Sequence, residues 1–318
     1  MEFRLGTRKS ALARTQSEGV RDSLVAAGLS VRLVELVSEG DRDRTTPLYA
    51  VEVETPGLFT KHLEKALLAS EIDLAVHSLK DLPTSQPAGL VVAAVTVRVA
   101  SADSLLVRHT AVAPGEALGL KRGARVGTSS LRREAQLLSV RPDLEVVPVR
   151  GNVPTRVRQA REGGLDAVIL AAAGLDRLKQ PTEGLRRTEL DESVFVPAPG
   201  QGALAVETRV PPPQALEMAL AGIHDIDAET ETRVERRILK GLHGGCTLPL
   251  GVRCHIAPGA GLSVRAFLGI SRPGEAGRRW VGFRHFDFES PEEEILVARA
   301  VGEISEWMRA TEGNTRGR

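Results

Sequence analysis

Short apolar runs alternate along the chain with stretches in which apolar positions recur every three to four residues. Phe3–Gly6 predicts a strand that ends in the polar turn Thr7-Arg8-Lys9-Ser10, and a helical period follows from Ala11 to Ala27, stopped by Gly28. Val31–Val37 predicts the next strand, and the charged, weakly periodic stretch Glu39–Pro56 a mobile loop. Thr60–Ser70 predicts an amphipathic helix with Leu63, Leu67 and Leu68 on one face, and Asp73–His77 and Leu90–Val97 predict strands. A second unit of the same style starts near Asp103, with strands at Ser104–Arg108, Arg125–Gly127, Glu145–Val149 and Asp166–Leu170 and helices at Leu131–Val140 and Pro154–Glu162. Ala203–Glu207 is a further strand, Pro211-Pro212-Pro213 opens a helix to Ala221, and a long charged helix covers Ala228 to Lys240.

The pattern then changes. Val252–Ile256, Leu262–Ile270 and Arg279–Phe288 are consecutive strand-like runs separated by Gly/Pro turns, followed by a helix over Pro291–Arg309 and a frayed tail over Thr311–Arg318. Alternating strands and helices imply largely parallel sheets covered on both faces. The final segment reads instead as an antiparallel sheet with helices. The expected class is therefore α/β, with a smaller α+β unit at the end.

Composition narrows the function classes. With 42% hydrophobic and 26% charged residues over 318 positions, the chain reads as a globular protein of two or three domains. A net charge of +1 and 3% aromatic residues give no basic field and no base-stacking surface, so a nucleic-acid partner is not expected. Two cysteines make no disulfide framework. The first residues carry no apolar signal core and no apolar run is long enough to span a bilayer, so a cytoplasmic protein without a membrane partner is expected.

Candidate chemistry gathers at strand ends, where α/β sheets bind ligands. Four such ends lead into Thr7-Arg8-Lys9-Ser10, His77-Ser78-Leu79-Lys80-Asp81, Gly127-Thr128-Ser129-Ser130-Leu131-Arg132-Arg133 and Arg150-Gly151-Asn152-Val153-Pro154-Thr155-Arg156. The last two open helices, whose free N–H groups favour anions, and supply hydroxyl donors and guanidinium forks. Each piece alone also reads as helix capping or a solvated arginine. Together they fit an elongated ligand with many carboxylates, since neither a phosphate-binding lysine loop nor a dinucleotide glycine fingerprint is present. Asp81 is the one carboxylate in this set, able to steady a developing cation or only to pin Lys80.

The loop Gly241-Leu242-His243-Gly244-Gly245-Cys246-Thr247-Leu248-Pro249-Leu250-Gly251 presents a thiol among glycines, or buries a small apolar cysteine in a tight turn. His243, Cys246, Cys254 and His255 lack zinc-ligand spacing, because the adjacent Cys254 and His255 would face opposite sides of a strand.

Seven of these segments resemble the porphobilinogen deaminase (hydroxymethylbilane synthase) family: Gly6–Ala13, Ala75–Pro83, Val126–Arg133, Arg150–Arg156, Ala171–Leu178, Pro199–Ala203 and Gly244–Pro249. They run in order over most of the first 255 residues. The resemblance implies two domains similar to type II periplasmic binding proteins, over 1–100 with 197–222 and over 101–196, facing each other across a cleft. A third domain over 223–318 would carry Cys246. It also implies a transferase of tetrapyrrole synthesis that is a monomer. Its dipyrromethane cofactor would be joined to Cys246 through a thioether, and it would add four porphobilinogens head to tail with loss of ammonia.

On the same basis Asp81 is the catalytic residue, thought to contact pyrrole N–H groups. Ser78, Lys80, Asp81, Thr128, Ser129, Ser130, Arg132, Arg133, Arg150 and Gly151 would hold the cofactor. Arg8, Ser10, Lys61, Arg150, Arg156, Arg177 and Gln201 would contact substrate, and no metal is implied. The chain departs from the family pattern at Glu54-Thr55-Pro56-Gly57, where one loop cation is absent, and at Pro154, Pro199 and His243. A non-catalytic anion-binding clamp and a cysteine-dependent acyl or thiol transferase are the alternatives. The first predicts reversible capture with no adduct on Cys246, and the second a base beside that thiol.

Overall fold

The structure, a computed structural model, describes residues 2–36, 60–243, 248–257, 261–274 and 277–313. The loop expected over Glu39–Pro56, the thiol of Cys246 and the tail beyond Gly313 lie outside the described residues.

The first sheet is built from β1 (Glu2–Arg8), β2 (Ser30–Leu36), β3 (Leu74–Ser78), β4 (Leu90–Val95) and β10 (Leu204–Arg209), in the order β2-β1-β3-β10-β4. β1 runs parallel to β2 and β3, and β10 runs antiparallel to β3 and β4. Helices α1 (Ala11–Ala26), α2 (Lys61–Leu68) and α6 (Gln214–Ile223) cover it. Leu24 and Leu216 enter one core with Leu5 and Leu74, while Leu63 and Leu67 enter another with Ile72. Side chains start three of the described helices, one of them Ile226–Gly241, where Asp225 accepts the Ala228 N–H. Ser10 accepts the Ala13 N–H at the head of α1, and Asn152 accepts the Thr155 N–H at the head of α4 (Val153–Arg161). Pro154 stands in the first turn of α4, where its missing N–H is not needed.

The second sheet uses β5 (Asp103–Arg108), β6 (Arg125–Gly127), β7 (Glu145–Val147), β8 (Ala167–Ala171) and β9 (Leu185–Glu189), in the order β7-β6-β8-β5-β9. Here β5 is the reversed strand, antiparallel to β8 and β9. Both sheets thus repeat one plan, with four strands in one direction and a reversed strand fourth in line. This is the mixed, largely parallel arrangement expected of two type II periplasmic-binding-protein-like domains. Two elements fall outside every run the hydrophobic pattern marks. β9 is an edge strand with the mostly exposed sequence Leu-Arg-Arg-Thr-Glu, and α5 (Ala172–Arg177) is too short to show a helical period.

The last unit has a three-stranded antiparallel sheet, β11 (Leu250–Ala257), β12 (Gly261–Gly274) and β13 (Gly277–Ser290). Helices α7 (Ile226–Gly241) and α8 (Glu293–Gly313) pack on it through Val234, Ile238, Leu296, Ala300 and Ile304, which meet Val252, Val264 and Phe288. Thr311 to Gly313 continue α8 rather than joining a frayed tail. Cys254 is buried and His255 exposed, as their adjacency on a strand requires.

This unit touches both others. Ala228 of α7 joins Leu79, Leu82 and Val95 of the first unit, and Phe267 and Trp280 pack against Ala135 of α3 (Leu131–Val140) and Val196. Gly251 at the start of β11 lies so close to Val196 that an added Cβ would come within 2.4 Å of its carbonyl oxygen. A backbone atom cannot step aside as a flexible side chain can. Gly251→Ala is expected to lower unfolding free energy by about 1–3 kcal/mol, as overpacking does. Chemical denaturation would measure it, and an unchanged midpoint would show that the two segments separate freely.

Candidate active site

The two reversed strands explain how distant residues meet. Because β5 and β10 run against their neighbours, each begins at the edge where the parallel strands end. Asp103 pairs with Ala171 in register, and Leu204 pairs with Ser78. The segments that enter these strands, 96–102 and 199–203, lie side by side, joined by Val99 N–H to Gly202 O at 3.4 Å. The starts of both reversed strands and the polar turns of both sheets therefore share one cleft.

Asp103 is its electrostatic centre. The residue is fully buried, with Arg132 Nη1 at 2.9 Å from Oδ2 and Arg133 Nη2 at 2.7 Å from Oδ1. Gln201 Nε2 donates to the same Oδ1 at 2.9 Å and to Ser101 O at 2.6 Å, and its Oε1 accepts from Lys80 Nζ at 3.2 Å. Burial opposes ionisation of Asp103, but the two guanidiniums overcome it and hold the carboxyl well below the usual range. Lys80 moves the other way. Desolvation and the nearby Arg133 and Arg132 outweigh the pull of Asp81 and Asp103 and bring its ammonium down to about 8. Arg156 is lowered to about 10, first by burial and then by Arg133 and Arg150. Closely spaced cations that each lose affinity for their protons mark a site short of negative charge.

Arg132 and Arg133 are not the free guanidinium forks that their position in the first turn of a helix suggests. Besides Asp103, Arg132 donates to Val196 O at 2.8 Å and Arg133 to Ile169 O at 3.3 Å. Arg150 is different. Its Nε and Nη2 are buried and have no hydrogen-bond partner among the described residues. Buried donors are normally satisfied, so this guanidinium fits an acceptor supplied by a ligand.

The remaining expected residues divide by position. Thr128, Ser129 and Ser130 form the turn between β6 and α3. The Ser129 hydroxyl donates to Val149 O at 2.6 Å and accepts the Val149 N–H at 3.0 Å, so it ties this turn to the Arg150–Gly151 turn. Gly151 has φ +105, and its carbonyl accepts from Arg156 Nε at 2.8 Å. Arg177 closes α5 and donates to Gly202 O at 2.7 Å. Ser78 ends β3 and exchanges hydrogen bonds with Gln16 of α1. Arg8 ends β1 and Ser10 caps α1 beside it. Asp81 is exposed at the end of the single 3-10 turn Leu79–Asp81 that follows β3. Lys61 is exposed at the head of α2, where its charge acts on Glu64 rather than on the Asp103 cluster.

Residues 3–217 match the family model described as "Porphobilinogen deaminase, dipyromethane cofactor binding domain". The chain belongs to the porphobilinogen deaminase family. It is 45% identical over 275 residues to "Porphobilinogen deaminase" of Rubrobacter xylanophilus, covering 86% of this chain and 85% of that protein. It is 39% identical over 307 residues to "Porphobilinogen deaminase" of Campylobacter curvus, covering 95% and 96%. A solved periplasmic VFT2 domain of BvgS from Bordetella pertussis aligns at 15% identity and a TM-score of 0.42, over 72% of this chain and 91% of that one.

The donor set suits this family's cofactor. Arg150 Nε and Nη2, without a hydrogen-bond partner among the described residues, and the buried cations Lys80 and Arg156 suit carboxylates, which a dipyrromethane carries as side chains. Three residues that organise the site escape the sequence reading. Asp103 looks like a polar residue just ahead of a strand, and Arg98 and Glu235 look like solvated charges. Arg98 Nε in fact donates to Gln201 O at 3.0 Å, and its Nη1 meets Glu235 Oε1 at 2.7 Å. Nothing local in the sequence distinguishes them, because their partners lie on other elements.

Removing the charge at Asp103 would leave two buried guanidiniums facing each other. Asp103→Asn is expected to destabilise the chain by about 3–5 kcal/mol, the cost of a broken buried ion pair. Thermal or denaturant unfolding would measure it, and a loss below 1 kcal/mol would show that solvent already screens the cluster.

Proposed function

We propose that the chain joins four porphobilinogen molecules head to tail, losing ammonia at each addition, and releases a linear hydroxymethylbilane with water. The observation that carries this reading is the cation-rich group at the strand ends, with Arg150 Nε and Nη2 buried and without a hydrogen-bond partner among the described residues, in a member of the porphobilinogen deaminase family. Every porphobilinogen brings an acetate and a propionate, so a growing chain needs several guanidinium and ammonium groups along one cleft.

In this reading Lys80, Arg132, Arg133, Arg150 and the hydroxyls of Thr128, Ser129 and Ser130 hold the dipyrromethane, with Ser78 and Gly151 beside them and Cys246 as the attachment point. When bound, that group supplies the open pyrrole end from which the product grows. Arg8, Ser10, Lys61, Arg156, Arg177 and Gln201 orient incoming substrate, and Arg150 serves both. Asp81 accepts the pyrrole N–H. As the C–N bond breaks and its electron pair leaves with ammonia, the Asp81 carboxylate offsets the positive charge left on the ring. The buried Asp103 keeps Arg132 and Arg133 fixed, so their remaining donors need no reorganisation when carboxylates arrive.

The reading includes the domain division 1–100 with 197–222, 101–196, and 223–318, supported by the three separate sheets. It takes the protein as a cytoplasmic monomer with no nucleic-acid partner, in keeping with a net charge of +1 and two cysteines. Among the described residues no helix is long and apolar enough to cross a membrane.

Intact mass under denaturing conditions, with a peptide map over Cys246, tests the assignment. Two pyrrole units on that cysteine are expected, and none after Cys246→Ser. A bare thiol that stays bare after porphobilinogen is added would point to a reversible anion clamp. Asp81→Asn should keep the fold and lose turnover by about 100-fold or more, the usual scale for a group acting on charge in the transition state. Near-normal turnover would remove Asp81 from the reaction.

A further inference from the structure

The turn that carries Lys80 and Asp81 is short, and its own hydrogen bonds are few. Leu79 N–H reaches Ala203 O at 3.1 Å, and Leu82 N–H closes the 3-10 turn on Leu79 O at 3.2 Å. The chain leaves through Leu82-Pro83, and proline has no N–H to anchor it further. The turn is held from another part of the molecule. Arg236 of α7 donates from Nη1 to Leu79 O at 3.1 Å and to Leu82 O at 2.8 Å, and from Nη2 to Pro83 O at 2.6 Å. One planar guanidinium thus gathers three carbonyls around Asp81, a geometry that a flexible ammonium reproduces only in part.

The residue before it on the helix holds the hinge. Glu235 accepts the Gly200 N–H at 2.7 Å and the Cys254 N–H at 2.9 Å, besides its pair with Arg98. Two consecutive side chains of α7 therefore grip the Asp81 turn and the crossover beside Gln201. α7 ends at Gly241, and its chain runs on into the loop that contains Cys246.

We infer that Arg236 is a positioning residue for the reaction: it fixes the Lys80–Asp81 turn to α7, and so sets the place of Asp81 relative to the third unit. This rests on the assignment of Asp81 given above. A salt link that only joined two domains would use exposed charged partners and leave the turn to its own hydrogen bonds. Here the acceptors are backbone carbonyls flanking the acid, and two of their residues, Leu79 and Leu82, are buried.

The test is a cycle on the full-length, cofactor-loaded protein, with loading checked by intact mass. It uses Arg236→Ala and Arg236→Lys, each with Asp81 and with Asp81→Asn. Arg236→Ala should lower kcat by about 10- to 100-fold, the scale of a slightly misplaced group, and leave KM within about twofold. Arg236→Lys should recover part of that loss. With Asp81→Asn present, Arg236→Ala should cost less than about threefold more, because residues acting through one group are not additive.

Amide hydrogen exchange gives a readout independent of turnover. A peptide spanning residues 79–86 should exchange at least about tenfold faster in Arg236→Ala while β1 is unchanged, as expected for local opening. If the alanine variant does not fold, Arg236→Lys carries the same cycle with a smaller loss of the same pattern. Equal fold-losses in both backgrounds, a loss confined to KM, or unchanged exchange over residues 79–86 would overturn the inference and leave the role of Asp81 standing. Full turnover by Asp81→Asn would remove the site assignment itself, and this inference with it.

Discussion

A carboxylate buried at the first residue of β5 carries two guanidiniums and a side-chain amide, and the rest of the cleft is arranged around that charge. Taking Asp103, Arg132 and Arg133 out of water is costly, and the arrangement is tolerable because each carboxylate oxygen faces a guanidinium at 2.7–2.9 Å and Oδ1 also accepts from Gln201. The pairing leaves a net positive charge in the cleft. Lys80 and Arg156 lie beside it, and burial first and the neighbouring guanidiniums second make both hold their protons less firmly than usual. A polycarboxylate ligand would relieve the imbalance.

The cluster can form only because of the strand reversal in each sheet. A fully parallel sheet would place the start of β5 at the far edge from the ends of β6 and β8. With β5 and β10 reversed, the two segments that link the sheets run together at the ligand edge. Gln201 then spans them, bonded to Lys80 on one side and to Asp103 and Ser101 on the other. The linkage between the first two units thus runs through the same few residues as the charge cluster.

The third unit adds a reference frame. α7 lies against the first unit through Ala228, Glu235 and Arg236, and β12 lies against α3 of the second through Phe267 and Ala135. Glu134 of α3 accepts from Trp280 Nε1 at 3.1 Å and fixes that second contact in orientation. The helix that bears Arg132 and Arg133 and the turn that bears Asp81 are therefore both registered against one small sheet. Gly251 and Val196 meet at backbone distance within this contact, and Val196 O is the carbonyl that also accepts from Arg132.

Much of this was legible in the chain by itself. Period and length mark α1, α3 and the strands β1, β3, β6 and β8 because each buries a continuous apolar stripe, and burial follows local pattern. The polar turns at the strand ends were legible for a related reason: a strand must end in residues that face water or ligand. β9 and α5 escaped because one is an exposed edge and the other a single short turn. What sequence could not give is which charges become partners. Arg132 and Arg133 read as free forks and Asp103 as a polar residue ahead of a strand until the reversal of β5 brings them together. Likewise Arg236 reads as one more arginine on a charged helix until α7 docks beside Leu79–Pro83. Element type is set by neighbours a few positions away, whereas ion pairing at a cleft depends on residues tens to more than a hundred positions apart, and only the tertiary structure decides those.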